Sequence, residues 1–146
     1  MLTRRKLVGG LGLGVLTLMS MARRALGAAG KSGHEHRVFA ARATAMRDQA
    51  VAAGDQAYGA VVVKDGRIVG LGPSRVVVNI DPTAHAEMEA LRHAARTLGT
   101  HDLTGCQMFT TSPPCRMCET GAYWANISRI YTGPDAQDRG KPGYGC

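Results

Sequence analysis

The chain has 146 residues, enough for one domain of ordinary size. Hydrophobic residues make up 45% and charged residues 20%, which excludes an intrinsically disordered chain. Its 18 Lys and Arg against 11 Asp and Glu leave a net charge of +7, a balance that by itself would suit a nucleic acid or an anionic surface.

Those charges are unevenly placed. Arg4, Arg5, Lys6, Arg23 and Arg24 fall within residues 1–28, which hold no acid, so five of the seven positive charges lie there. Residues 29–146 carry 13 basic and 11 acidic side chains and are nearly balanced at +2. The first segment runs from a basic start, Thr3–Lys6, through the apolar, glycine-diluted stretch Leu7–Ala22 to small residues at Ala25–Ala29. That order is the layout of an export signal cleaved near Ala28. Arg4-Arg5 ahead of a weakly apolar run resembles a twin-arginine signal, which implies a bacterial periplasmic protein with no membrane contact after cleavage. A retained anchor is the alternative, although Leu7–Ala22 is shorter than the ~20 residues of a span.

Gly30-Lys31-Ser32-Gly33 places a linker at 29–36, ahead of a functional domain at 37–146. Phe39, Ala43, Met46, Ala50 and Ala53 recur at steps of four and three, the face of a helix that Gly54 ends. Ala60–Val63 and Arg67–Leu71 flank Lys64-Asp65-Gly66 and predict a β-hairpin. Arg75–Ile80 reads as loop or short strand. Asp81-Pro82 predicts an N-cap and first-turn proline for a helix striped by Ala84, Met88, Leu91, Ala95 and Leu98 and closed by Gly99. Gln107–Thr111 is a strand candidate, Pro113-Pro114 opens a helix through Cys115–Ala125, and Ser128–Thr132 is a last strand. The late alternation predicts an α/β fold with a right-handed parallel β-α-β unit.

Two segments carry the chemistry, His85-Ala86-Glu87 and Pro114-Cys115-Arg116-Met117-Cys118. Cys115 and Cys118 lie three apart at a helix start, so both thiols emerge on one side of the first turn. The helix N-terminus there favours the thiolate. Two thiolates and an imidazole make a three-ligand zinc site with a fourth position open to water. Glu87 is the nearby carboxylate for proton transfer. Residues i and i+2 of a helix diverge, so His85 and Glu87 share a site only at an irregular helix start.

Plainer readings stand beside these. Cys-x-x-Cys alone suits a redox or structural disulfide. Glu87 alone could be a surface charge like Glu89, and a structural zinc site would recruit a fourth ligand such as His93 or His101. His34 and His36 are expected in solvent, and Cys106 as a buried free thiol, with pairing to Cys146 the oxidised alternative. Tyr123 and Trp124 are expected in the core and pocket wall.

Asp81-Pro82-Thr83-Ala84-His85-Ala86-Glu87-Met88 with Ala90-Leu91-Arg92 resembles the cytidine deaminase superfamily, in its guanine deaminase and tRNA adenosine deaminase branch. Thr111-Ser112-Pro113-Pro114-Cys115-Arg116-Met117-Cys118 followed by Gly121-Ala122-Tyr123-Trp124-Ala125 leans toward guanine deaminases, and the similarity covers about residues 37–145. The resemblance implies a three-layer α/β/α sandwich whose mixed sheet has a hairpin followed by a parallel β-α-β. It implies one zinc per chain on His85, Cys115 and Cys118, with Glu87 as the catalytic proton shuttle. Zinc-bound water would attack the amidine carbon of a small nucleobase or nucleoside, and ammonia would leave. Substrate contacts are implied at Ser74, Ala84, Trp124 and Asp138, and a homodimer as the assembly.

The alternatives are an RNA (tRNA adenosine) deaminase, against which the balanced charge and export signal argue, and a catalytically degenerate binding protein of the same fold. Three departures from the family stand out. Its Asn eleven residues before the zinc His is Ser74, its Glu-Pro before the first Cys is Pro113-Pro114, and its further strand and helices have no counterpart by Cys146. The pocket is therefore expected to be open, covered by a second subunit, or completed by a longer chain.

Overall fold

The computed structural model describes the backbone of residues 13–144 and the side chains from Gly33 onward. Arg4-Arg5-Lys6 of the expected signal and Cys146 lie outside the described residues. The chain divides into two compact units, Met1–Gly33 and His34–Cys146, and the second carries every element from the hairpin onward. Among the described residues no helix is long and apolar enough to cross a membrane.

The elements are α1 (Leu13–Ala52), β1 (Gly59–Lys64), β2 (Arg67–Pro73), α2 (Ala86–Leu98), β3 (Gln107–Thr110), α3 (Arg116–Trp124), β4 (Arg129–Thr132) and β5 (Gln137–Gly140). They form one mixed sheet in the order β2-β1-β3-β4-β5. The hairpin forms as expected because Asp65 (φ 50°) and Gly66 (φ 72°) both take the left-handed conformation that a tight primed turn requires. Strands β3 and β4 are parallel, as the β-α-β reading requires, whereas β1 is antiparallel to both β2 and β3.

Alternation along the strands builds two cores. Ala60, Val62, Met108 and Ile130 face Ala90, Leu91 and Ala94 of α2 and Ala122 of α3. Val61, Val63, Phe109 and Tyr131 face Ala40, Ala43 and Met46 of α1. Helices thus cover both faces of the sheet, the three-layer arrangement expected.

Four local expectations change. Residues 29–36, assigned to the linker, all lie within the backbone of α1, which starts well before Phe39. His36 is not solvated: its ring lies 4.4 Å from that of Tyr131 and 5.5 Å from that of Phe109, extending the α1 core by one turn. Asp81 does not cap α2. Its carboxylate instead accepts from Thr83 N at 2.8 Å and Thr83 Oγ1 at 2.7 Å, an Asx turn that delays the helix to Ala86. The tail also adds a fifth strand, β5, on the edge of β4.

Helix α2 lies close on β2 because the strand offers glycine where the helix backbone passes. A Cβ at Gly72 would run into the Ala86 carbonyl oxygen and the Ala90 amide. Neither is a flexible side-chain end, so relief requires the helix to move. Gly72→Ala is therefore expected to cost about 3 kcal/mol, read as a lower midpoint in urea unfolding. An unchanged midpoint would mean that α2 shifts freely on the sheet.

Candidate metal centre and its cavity

His85 is the N-cap of α2, in an extended conformation (φ −61°, ψ 153°). This is the irregular helix start that lets it share a site with Glu87, which sits inside the first turn. Cys115 caps α3 in the same way (φ −71°, ψ 168°), and Cys118 follows in that helix's first turn. The N-termini of α2 and α3 thus bring together three donors from two distant parts of the chain.

His85 Nδ1 lies 3.7 Å from Cys115 Sγ and 3.6 Å from Cys118 Sγ, and the two sulfurs are 3.6 Å apart. Tetrahedral zinc, with bonds of about 2.3 Å to sulfur and about 2.0 Å to nitrogen, would set S···S near ~3.8 Å and S···N near ~3.5 Å. The triangle fits that ion without rearrangement. A disulfide would need sulfurs about 2.05 Å apart, and both thiols are free. Among the described residues these three donors form the one group spaced to hold a metal ion. His93 is engaged elsewhere, its Nδ1 accepting from Leu71 N at 3.0 Å, and His101 lies outside the group. The fourth side of the site is open.

Glu87 is 6% exposed, not a surface charge like its neighbour Glu89, which pairs with Arg92 at 2.6 Å. Burial raises the Glu87 carboxyl above its ordinary value, against the smaller opposing pull of its own backbone amide, the Cys118 thiol and His85. The Cys118 thiol is also pushed up, first by burial and then by the Glu87 and Cys115 charges beside it. This reverses the lowering expected from the helix dipole, because Cys118 is fully buried beneath the turn. A divalent cation on His85 and the two sulfurs would oppose this, favouring the thiolates and the Glu87 carboxylate.

The group opens into a cavity of about 770 Å³. His85, Glu87 and Cys115 line it together with Gln56, Ala57, Tyr58, Ser112 and Pro113. Topology explains the wall. Because β1 runs antiparallel to β3, with Ala60 opposite Thr110, the residues entering β1 lie beside those leaving β3. Gly59 N donates to Thr111 Oγ1 at 3.1 Å, Thr111 N to Gly59 O at 3.0 Å, and the Thr110 hydroxyl to Ser112 O at 2.7 Å.

None of the four expected substrate contacts lines this cavity. Ser74 is fully buried, its hydroxyl donating to Asp55 Oδ1 at 2.8 Å. Ala84 is fully buried, its carbonyl accepting from Arg75 N at 2.9 Å. Trp124 is 66% exposed, and with Tyr123 and Tyr144 it forms an aromatic cluster on the surface, neither core nor pocket wall. Asp138 sits on the edge strand β5, paired with Arg129 at 2.7 Å. Gln56, Tyr58 and Ser112 went unsingled in the sequence. Only the β1-against-β3 pairing brings them together, and no local feature of the sequence reports it. Cys106 is buried and free as expected.

Asp55 anchors the wall. One carboxylate oxygen accepts from Gln56 N and the Ser74 hydroxyl, the other from Val77 N and Val78 N, all at 2.8–2.9 Å. Burial works to raise this carboxyl, but the hydrogen bonds from Val78, Ser74, Gln56 and Val77 outweigh it and bring it from 3.8 to about 2. A carboxyl lowered on folding stabilises the fold above pH 3.8 and loses that contribution as pH falls toward 2. Asp55→Asn is expected to lower the melting temperature at pH 7 and to flatten its decline between those pH values. Parallel declines in parent and variant would show that Asp55 is not the titrating group.

Three donors beside an open cavity match the donor set of a zinc site that admits water, whereas a site that only braces a fold has four protein ligands. Residues 33–134 match the family of the cytidine and deoxycytidylate deaminase zinc-binding region, and the chain belongs to that family. It is 37% identical over 110 residues to a guanine deaminase of Bacillus subtilis, covering 75% of this chain and 70% of the relative. It is 39% identical over 77 residues to a tRNA-specific adenosine deaminase of Aquifex aeolicus, covering 53% of this chain and 51% of the relative. The X-ray structure of the Bacillus subtilis guanine deaminase superposes with a TM-score of 0.65 at 39% identity, over 67% of this chain and 63% of that one. The chain thus spans between 51% and 70% of the length of these proteins, and its sheet and helices share the cytidine deaminase fold.

Proposed function

We propose that this chain is a zinc-dependent hydrolytic deaminase of a small nucleobase or nucleoside, with guanine the first candidate. The observation that carries the reading is the metal-sized triangle of His85, Cys115 and Cys118, whose His85 and Cys115 line one cavity with the buried Glu87. One zinc ion per chain on those donors would lower the pKa of water in the cavity toward neutrality. Glu87 would take a proton from that water as its oxygen bonds to the amino-bearing ring carbon, give that proton to the adjacent ring nitrogen, and then carry the remaining hydroxyl proton to the amine, which leaves as ammonia as the carbonyl forms. Its burial, which already favours the protonated carboxyl, suits a group that must hold a proton between those steps. A cavity of about 770 Å³ has room for a base with or without its sugar.

The test is metal analysis followed by ammonia release from guanine, cytosine, adenine and their nucleosides. One zinc per chain and turnover of at least one of these is the expected result. Zinc without turnover on any of them would sink this reading and leave an RNA deaminase or a degenerate, binding-only protein. The similarity to tRNA-specific adenosine deaminases supports a second reading, adenosine in an RNA loop. Residues 29–146 carry only +2, so a tRNA anticodon stem-loop is expected to be a poorer substrate than a free base.

We also propose that residues 1–28 direct export, on the strength of the basic start, the apolar run and the small residues near Ala28. The mass of the mature N-terminus in a periplasmic extract tests this. A homodimer is the proposed assembly, read by light scattering.

A further inference from the structure

We propose that Gln56 is the specificity-determining residue of the cavity, its side-chain amide reading a donor–acceptor edge of the bound base, and that Asp55 is the positioning residue that holds it there. The ligand class rests on the deaminase reading above.

The cavity wall leaves few groups that could recognise a base. His85 and Cys115 belong to the donor triangle, Glu87 to proton transfer, and Ala57 and Pro113 offer only apolar surface. Ser112 has a single hydroxyl, and its carbonyl is already taken by Thr110. Tyr58, 46% exposed, presents a ring. Gln56 alone sets a C=O acceptor beside an NH2 donor. A nucleobase edge is built from the same pair: a ring N–H beside a carbonyl, or an amino group beside a ring nitrogen. An amide can therefore meet such an edge with two hydrogen bonds at once, which a lone hydroxyl cannot.

The backbone around Gln56 is fixed in advance. Its N–H donates to Asp55 Oδ1 at 2.8 Å and its carbonyl accepts from Tyr58 N at 2.7 Å, so the backbone makes these bonds and the side chain is left to the cavity. Asp55 N in turn donates to Ala50 O at 2.9 Å, and Ser74 N to Tyr58 O at 3.1 Å. The same Asp55 carboxylate grips Ser74, Val77 and Val78. The short segment between α1 and β1 is thus pinned at both ends before any ligand arrives. Little loop-ordering entropy remains to be lost on binding. The buried Ser74 hydroxyl acts here through Asp55 and not by touching the base.

The experiment measures steady-state kinetics and equilibrium binding, by calorimetry, of guanine, cytosine, adenine and their nucleosides on the zinc-loaded chain. Gln56→Leu keeps the size and removes both hydrogen bonds. It is expected to raise KM and Kd for the preferred base about tenfold or more, with kcat and zinc content within twofold of the parent. Gln56→Glu, which exchanges the donor for an acceptor, is expected to change the rank order of the bases. Asp55→Asn is expected to raise KM several-fold with kcat held at temperatures below its melting point, a split that mere loss of stability would not produce. An unchanged KM, Kd and rank order in the Gln56 variants would overturn the proposal, as would a parent chain that binds none of the bases. Binding that depends on Gln56 without any turnover would uphold it while sinking the deaminase reading.

Discussion

Glu87→Gln is expected to lower kcat by about 10³-fold or more while zinc stays bound at the parent ratio. General acid–base catalysis by a positioned side chain contributes typically ~10²–10⁴-fold, and in the proposed deaminase reaction one carboxylate would serve both the attack and the departure of ammonia. Glutamine keeps the shape and loses the transferable proton. Glu87 is not one of the three grouped donors, so its loss leaves the triangle intact. The fold should not suffer either. A carboxyl whose value is raised by burial is one whose charged form the folded state disfavours. Above its ordinary value that charge is a cost, so the neutral amide is expected to leave the melting temperature of the metal-free chain unchanged or higher. Activity, zinc content and melting temperature thus separate three roles. Full activity would remove Glu87 from the chemistry, lost zinc would make it a ligand, and a lower melting temperature would make it a structural group.

What the sequence made legible follows the range of the forces involved. Asp65-Gly66 set the hairpin because a two-residue turn is decided by local dihedrals. The His85–Glu87 and Cys115–Cys118 segments were legible because metal chemistry restricts residue type and spacing together. Contacts chosen by tertiary neighbours were not. Asp81 looked like a helix cap, yet Thr83 two residues on captured its carboxylate first. Strand β5, Gln137–Gly140, has no β-branched residue. It forms because β4 offers an open edge, Ala136 turns the chain at φ 51° and packs 8% exposed, and Arg129 holds Asp138 across the pair. That same pairing explains why Asp138, expected at the substrate, lies on the sheet edge. The cavity wall was hidden for a different reason. Gln56 and Ser112 are far apart in sequence and meet only through the β1–β3 register, which composition and periodicity do not report.

Cys118→Ser is expected to abolish activity and to lower zinc affinity by at least about two orders of magnitude, with a larger loss of stability than Cys115→Ser. Both replace a soft thiolate by a hydroxyl that zinc binds poorly. They differ in burial. Cys118 is fully buried in the first turn of α3, whereas Cys115 is exposed at the helix cap. A serine at 118 therefore places a hydroxyl in a corner already crowded by the Glu87 carboxylate. Metal binding would also bear on the fold, since the triangle joins the start of α2 to the start of α3, helices that also approach each other where Met88 and Leu91 lie against Gly121. A ligand present at about a thousand times its Kd adds about 4 kcal/mol to stability. For a domain of this size that is on the order of 10 °C in melting temperature. Stripping zinc from the parent with a chelator should therefore lower its melting point by about that amount, while the same chelator should leave Cys118→Ser unmoved. Equal shifts in both would mean that the metal stabilises the chain from some other place.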